Sequence, residues 1–182
     1  MMNFFRLQMQ TSISDLQEII GKSGRPGFVE ARSRFTMWFA NHPQATRDLV
    51  SVSIEAIEEY RCELLEINRR PVSVDEIYSW TPSTLSPYGP IYIFLTYVFL
   101  CACATAMTLH QKEQLYNSLS AELARDVLNS GDQSILASLC GSDNDTAGKE
   151  ILREAAQTLG LFENWGCSTN LALLLHWRSR IN

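Results

Sequence analysis

Apolar residues are most concentrated between Ile91 and Leu109, where the sequence is IYIFLTYVFLCACATAMTL. This stretch lies inside a longer span, residues 77–111, that contains no Asp, Glu, Lys or Arg, whereas charges recur every few residues on either side. A helix that is apolar on all faces is either buried in a protein core or crosses a membrane. At a rise of about 1.5 Å per residue its length is close to the hydrocarbon thickness of a bilayer, so length alone does not decide between the two.

Composition favours a buried core helix over a membrane span. The only basic residue close to either end is Lys112, so the asymmetry of Lys and Arg that orients a spanning helix is missing. The second half of the stretch, from Cys101 to Ala106, is made of small residues that let neighbouring helices approach closely. We therefore predict a central core helix over 91–109, and keep a membrane span over the same residues as the alternative.

The remaining apolar positions recur at three- and four-residue steps, which predicts amphipathic helices. At 182 residues and 46% hydrophobic, the chain is long enough for one core. We predict an all-α fold of about seven or eight helices, a single domain over 1–182, with a two-part organisation around the proline-rich loop 81–90 as a variant. The predicted helices, besides the central one, cover 12–20, 28–40, 44–69, 73–80, 134–140, 146–159 and 168–180, with Gly21–Gly27 as a turn and Asp145 as a cap. A further helical stretch over 111–129 is predicted, either separate or continuing from the central helix with a bend.

Charge and cysteine content restrict the partner and the compartment. The chain has 20 acidic and 15 basic residues and a formal net charge of −5, which disfavours nucleic acid and anionic membranes as default partners. We expect no nucleic acid, and a neutral or basic protein as the partner. The five cysteines are odd in number and lack CxxC spacing, which is typical of reduced thiols. The first ten residues become polar too early for a signal peptide, so we expect a cytoplasmic protein.

One face of the long predicted helix 44–69 carries a row of carboxylates: Glu55, Glu59, Glu63 and Glu66. Like charges four residues apart on a helix repel each other by a few tenths of a kcal/mol per pair, so the row is mildly costly for the isolated helix. We predict that it binds a basic patch on another protein.

The proline-rich loop 81–90 is the second predicted recognition element. It contains three prolines, and Trp80, Leu85 and Tyr88 supply large apolar side chains in or beside it. Because prolines stiffen a loop, the loop loses little entropy on binding. We therefore add these three residues to the predicted partner-binding surface.

The sequence contains no motif that specifies a reaction, a metal ion or a cofactor. The resulting hypothesis is a non-enzymatic protein-binding module: an inhibitor, an immunity-type neutraliser, an adaptor or a chaperone. A thiol-dependent enzyme or a carrier of small apolar ligands is a further alternative, in which Cys101 or Cys103 would act with His110 or His176. A reactive thiol needs an open pocket and a positively charged neighbour, and neither cysteine has a positively charged residue nearby in sequence.

Overall fold

The computed structural model describes residues 12–69, 89–126, 132–141, 143–161 and 166–180, with side chains over 12–62, 89–120, 135–141, 143–161, 170–178 and 180. Within these residues the fold is all-α, as predicted, and contains no strand. The helices are α1 (Ile13–Ile19), α2 (Gly24–Asn41), α3 (Pro43–Arg69), α4 (Gly89–Ala106), α5 (Leu109–Asp126), α6 (Asp132–Leu139), α7 (Asn144–Gly160) and α8 (Gly166–Arg180). The short helix predicted over 73–80 lies outside the described residues.

The central helix is confirmed as the core of the fold. Every residue of α4 except Ile91 and Tyr92 is buried, and α4 contacts α1, α2, α3, α6, α7 and α8. Among the described helices, α4 alone is long and apolar enough to cross a membrane by length and composition, and 89% of it is buried inside the protein. This burial is what the prediction of a core helix requires.

The central helix ends earlier than predicted, at Ala106 instead of Leu109. Thr108 and Gln111 form a capping box that starts α5. The backbone N–H of Thr108 donates to Gln111 Oε1 at 2.8 Å, and the backbone N–H of Gln111 donates to Thr108 Oγ1 at 3.3 Å. Such reciprocal bonds satisfy N–H groups that a new helix leaves without a partner. Leu109 and His110 therefore belong to the next helix and are exposed.

Side chains from other helices satisfy the carbonyl groups at the end of α4. Thr36 Oγ1 of α2 donates to the Ala106 carbonyl at 2.9 Å. Asn144 Nδ2, in the first turn of α7, donates to the carbonyls of Thr105 and Met107 at 3.2 and 3.1 Å. The last carbonyls of a helix have no partner within it, so these bonds fix where α2 and α7 sit on α4.

Two other helix starts differ from the prediction. Helix α2 begins at Gly24, inside the predicted turn, because a proline in the first turn of a helix loses no hydrogen bond there, and Pro26 occupies that turn. The cap of α7 is Asp143 and not Asp145, since Asp143 accepts a hydrogen bond from the backbone N–H of Thr146 at 3.0 Å. Asp145 lies in the first helical turn, where its negative charge interacts favourably with the positive end of the helix dipole.

Helices α4 and α7 approach each other closely at Gly148. A Cβ atom at this position would lie 2.6 Å from Thr105 Cγ2 and 3.6 Å from Cys101 Sγ. Farther along the same pair, the hydroxyl groups of Tyr97 and Thr158 lie 2.9 Å apart in the core. The small residues from Cys101 to Ala106 permit the close approach of the two helices at Gly148, as predicted from the sequence.

Candidate protein-binding surface

The outward side of α3 is acidic along its described length. Asp48, Glu55 and Glu59 are exposed, and the step of seven residues from Asp48 to Glu55 makes two helical turns, so the three lie on one side of the helix. We call these three residues the acidic face. Glu63 and Glu66 continue the predicted row in the last turns of α3, but their side chains lie outside the described residues.

The opposite side of α3 holds the helix firmly against the core. Its apolar residues are all buried, and they contact α4 and its neighbours. They are Leu49, Val50, Ile54, Ala56 and Ile57. The acidic face is therefore carried by a rigid element with a fixed orientation, which is favourable for recognition because little order must be created on binding.

The basic residue in the middle of α3, Arg61, does not neutralise the acidic face. Its guanidinium Nη1 lies 3.0 Å from Glu154 Oε1 of α7 and 3.4 Å from Glu58 Oε1. The side chains of Glu58 and Glu154 are each 19% exposed, so Arg61 serves a partly buried cluster between two helices. Burial raises the pKa of Glu154, and Arg61 opposes that rise in pKa.

The other basic residues of α3 are Arg47 and Arg69, and neither lies three or four residues from a member of the acidic face. Positions three and four residues from Asp48, Glu55 and Glu59 carry no Lys or Arg. The hydrogen bonds seen there are to neutral groups: Gln44 Nε2 donates to Asp48 at 2.8 Å, and Ser51 Oγ donates to Glu55 at 3.0 Å. The face thus presents negative charge without a basic residue at the neighbouring positions, three and four residues away, of the same helix.

Asp48 is a member of the acidic face that the sequence prediction did not include. It follows Thr46, whose hydroxyl donates to the His42 carbonyl at the start of the helix. The sequence pattern that could have identified Asp48 is its position seven residues, or two helical turns, before Glu55. The predicted row began at Glu55 and was extended only toward the C-terminal end of the helix, so Asp48 was not included.

The second predicted element, with Trp80, Leu85 and Tyr88, lies outside the described residues. Its part in binding stays a prediction.

The surroundings of the thiols on α4 disfavour a reactive site. Cys101 and Cys103 are buried, burial raises the pKa of the Cys101 thiol to about 12, and it raises the pKa of Cys103 well above its ordinary value. Thiolate, and not thiol, is the nucleophile, so these environments disfavour catalysis. His110 and His176 are exposed. The enzyme alternative requires an imidazole beside one of these cysteines in the core. Since both imidazoles are exposed, neither is buried with the cysteines.

Within the described part of the chain, no three or more His, Cys, Asp or Glu side chains come together to hold a metal ion. No family model matches this chain, and neither a curated protein nor a solved structure matches it either.

Proposed function

We propose that this protein is a non-enzymatic helical binding module that recognises a basic surface of a partner protein through the acidic face of α3. Inhibitors, immunity-type neutralisers, adaptors and chaperones all work in this way, because each needs a stable scaffold and a shaped surface. The observation that supports the proposal is the exposed line of Asp48, Glu55 and Glu59 on a rigid helix whose central arginine is engaged elsewhere.

Complementary charge explains what such a face contributes. A negative surface steers a positive partner during diffusion and rejects partners of like charge. Because exposed charges are screened within about 8 Å at physiological salt, binding through this face weakens as salt concentration rises. The net charge of −5 acts in the same direction as the local face.

Charge reversal on the acidic face tests the proposal. Tagged wild-type protein and the variant E55K/E59K are used to capture partners from the soluble fraction of the native host. The matched control is E113K/E150K, which makes the same change of charge at exposed positions of α5 and α7. All three proteins are compared by circular dichroism before use.

We expect the wild type and the control to retain the same protein, and E55K/E59K to retain at least about tenfold less, since juxtaposed like charges cost several kcal/mol. Equal retention by E55K/E59K would overturn the proposal. So would a loss of retention that is as large in E113K/E150K, since net charge alone would then explain it.

A further inference from the structure

The last helix, α8, turns large apolar side chains toward solvent. Leu173 is 62% exposed, Trp177 is 60% exposed and Leu174 is 39% exposed, whereas Leu175 is fully buried. The apolar residues of this helix therefore do not all face the core. An amphipathic helix on a protein surface normally places polar residues on its outermost line. Here that line is apolar.

Leu173 and Trp177 lie one helical turn apart, and Leu174 lies beside them, so the three side chains form a continuous ridge. Helix α8 packs mainly against α7, with Leu175 on that inner side. The ridge therefore projects away from the rest of the molecule. A contiguous exposed apolar patch of this kind marks an interaction site more often than chance exposure.

The charges next to the ridge are basic. Helix α8 contains no Asp or Glu, and it ends with Arg178 and Arg180. The guanidinium of Arg178 lies over the ring of Phe28, 5.4 Å from its centroid, and its Nε would lie 3.5 Å from a Cβ on Gly21. The end of α8 thus sits against the turn that carries the exposed Lys22. The carboxylate of Glu18 also lies at this turn, where it accepts hydrogen bonds from Ser23. Lys22, Arg178 and Arg180 outnumber it, so the region beside the ridge is locally positive although the chain has a negative net charge.

We propose that α8 docks on an anionic lipid bilayer, with the side chains of Leu173, Leu174 and Trp177 inserted between the headgroups and Arg180 and Lys22 at the lipid phosphates. Trp favours the membrane interface, and basic residues beside an inserted apolar ridge are attracted by anionic lipids. A helix of a partner protein would instead call for an apolar groove, and the apolar residues here form a ridge. The docking surface is on a different helix from the acidic face, so the two proposals stand independently.

Vesicle sedimentation tests this docking on the full chain. The probes are vesicles of phosphatidylcholine alone and vesicles of phosphatidylcholine mixed with phosphatidylserine. The variant L173S/W177S removes the centre of the ridge, and L109S/Y116S is its control, because those two residues are similarly exposed on α5. The variant K22E/R180E tests the charge.

We expect the wild type and L109S/Y116S to sediment with the phosphatidylserine vesicles and to bind phosphatidylcholine alone much more weakly. L173S/W177S loses this binding, and K22E/R180E weakens it roughly fivefold or more for each basic residue lost. Absence of wild-type binding, undiminished binding by L173S/W177S, or equal binding to both kinds of vesicle would overturn the proposal. Wild-type self-association through Leu173 and Trp177 without vesicle binding would also overturn it, in favour of a second copy as the occupant.

A second measurement does not depend on how the ridge variant folds. Lipids brominated on their acyl chains quench a tryptophan that enters the bilayer, and they are mixed with phosphatidylserine for this purpose. We expect quenching in the wild type and its loss in W177F, which keeps an aromatic side chain at the same place. Equal quenching in both proteins, or none in the wild type, would contradict insertion of Trp177.

Discussion

The ammonium group of Lys112 lies 2.7 Å from Asn144 Oδ1, in a place where the lysine is completely removed from solvent. The same ammonium group donates to the Gly141 carbonyl at 3.2 Å. Asn144 in turn donates to the two carbonyls at the end of the central helix. This network joins α4, α5 and the start of α7, and burial lowers the pKa of Lys112.

Because Asn144 is central to this network, the free energy of unfolding should depend strongly on its side chain. N144A removes an acceptor from a buried ammonium group and donors from two carbonyls, and buried groups left without partners are costly. We expect the free energy of unfolding to fall by about 2 to 4 kcal/mol. Urea denaturation measures it, with N117A at an exposed position of α5 as the control, for which we expect a change within about 0.5 kcal/mol. A loss for N144A no larger than that for N117A would show that the network contributes nothing.

The close approach of α4 and α7 predicts that Gly148 and Gly160, both in α7, respond differently to replacement by alanine. G148A places a Cβ atom against Thr105 in the core, whereas G160A meets nothing within 4 Å. Alanine favours a helix by about 1 kcal/mol over glycine, but overpacking a core costs about 1 to 3 kcal/mol. We expect G148A to lower the melting temperature and G160A to leave it unchanged or raised. If G148A is as stable as G160A, the two helices are not as close as described.

The pair of Arg61 and Glu154 predicts a stability effect that depends on pH. R61M leaves the partly buried Glu154 carboxylate without its cation, so its pKa rises further. A carboxyl group whose pKa is raised in the folded state costs stability when ionised and loses that cost as pH falls through the raised pKa. We therefore expect R61M to cost about 1 to 3 kcal/mol at neutral pH and less in mildly acidic buffer, measured by urea denaturation. The control is R61M in an E154Q background, where the cost becomes smaller and depends less on pH, because only the contact of Arg61 with Glu58 is then lost.

The buried thiol of Cys101, the half-buried thiol of Cys140 and the half-buried phenol of Tyr92 predict loss of stability in alkaline solution. Burial raises the pKa of Cys101 from 9.0 to about 12 and that of Cys140 from 9.0 to about 11. It raises the pKa of Tyr92 from 10.0 to about 12. A group with a raised pKa contributes its full stability below its unfolded pKa, and that contribution is lost as pH rises toward the folded value. Each such group costs up to about 1.4 kcal/mol per pH unit in this window.

C101A isolates one of these groups. We expect the free energy of unfolding to fall less steeply above pH 9.0 in C101A than in the wild type, and C62A, which removes an exposed thiol, to behave as the wild type. Chemical denaturation at a series of pH values measures the slopes. Identical slopes for C101A and C62A would contradict the burial of the Cys101 thiol.

The helices of this fold follow from the sequence because their signals are local. A charge-free span predicted the core helix, and the three- and four-residue spacing of Val50, Ile54 and Ile57 predicted the buried side of α3. The end of the central helix was also available in the sequence, since Thr108 and Gln111 have the spacing of a capping box. The prediction missed that boundary because the apolar run continues beyond it to Leu109.

Other features depend on partners far away in the chain. Lys112 is buried because its acceptors come from residues about thirty positions later, and no local pattern indicates this. The leucines of α8 look alike in sequence, so only packing shows that Leu175 faces the core while Leu173 faces solvent. For the candidate site, the sequence predicted a row with Glu55 and Glu59, but the diversion of Arg61 toward Glu154 required the structure.

Carboxyl footprinting tests the central claim, that the acidic face of α3 binds a basic protein, most directly. Exposed carboxylates are coupled to glycine ethyl ester in the free protein and in the complex retained from the soluble fraction of the host, and the labelled peptides are quantified by mass spectrometry. The account predicts slower labelling of Asp48, Glu55 and Glu59 in the complex, and unchanged labelling of Glu113 and Glu150. Equal labelling of the acidic face in both states, or protection confined to Glu113 and Glu150, would contradict it.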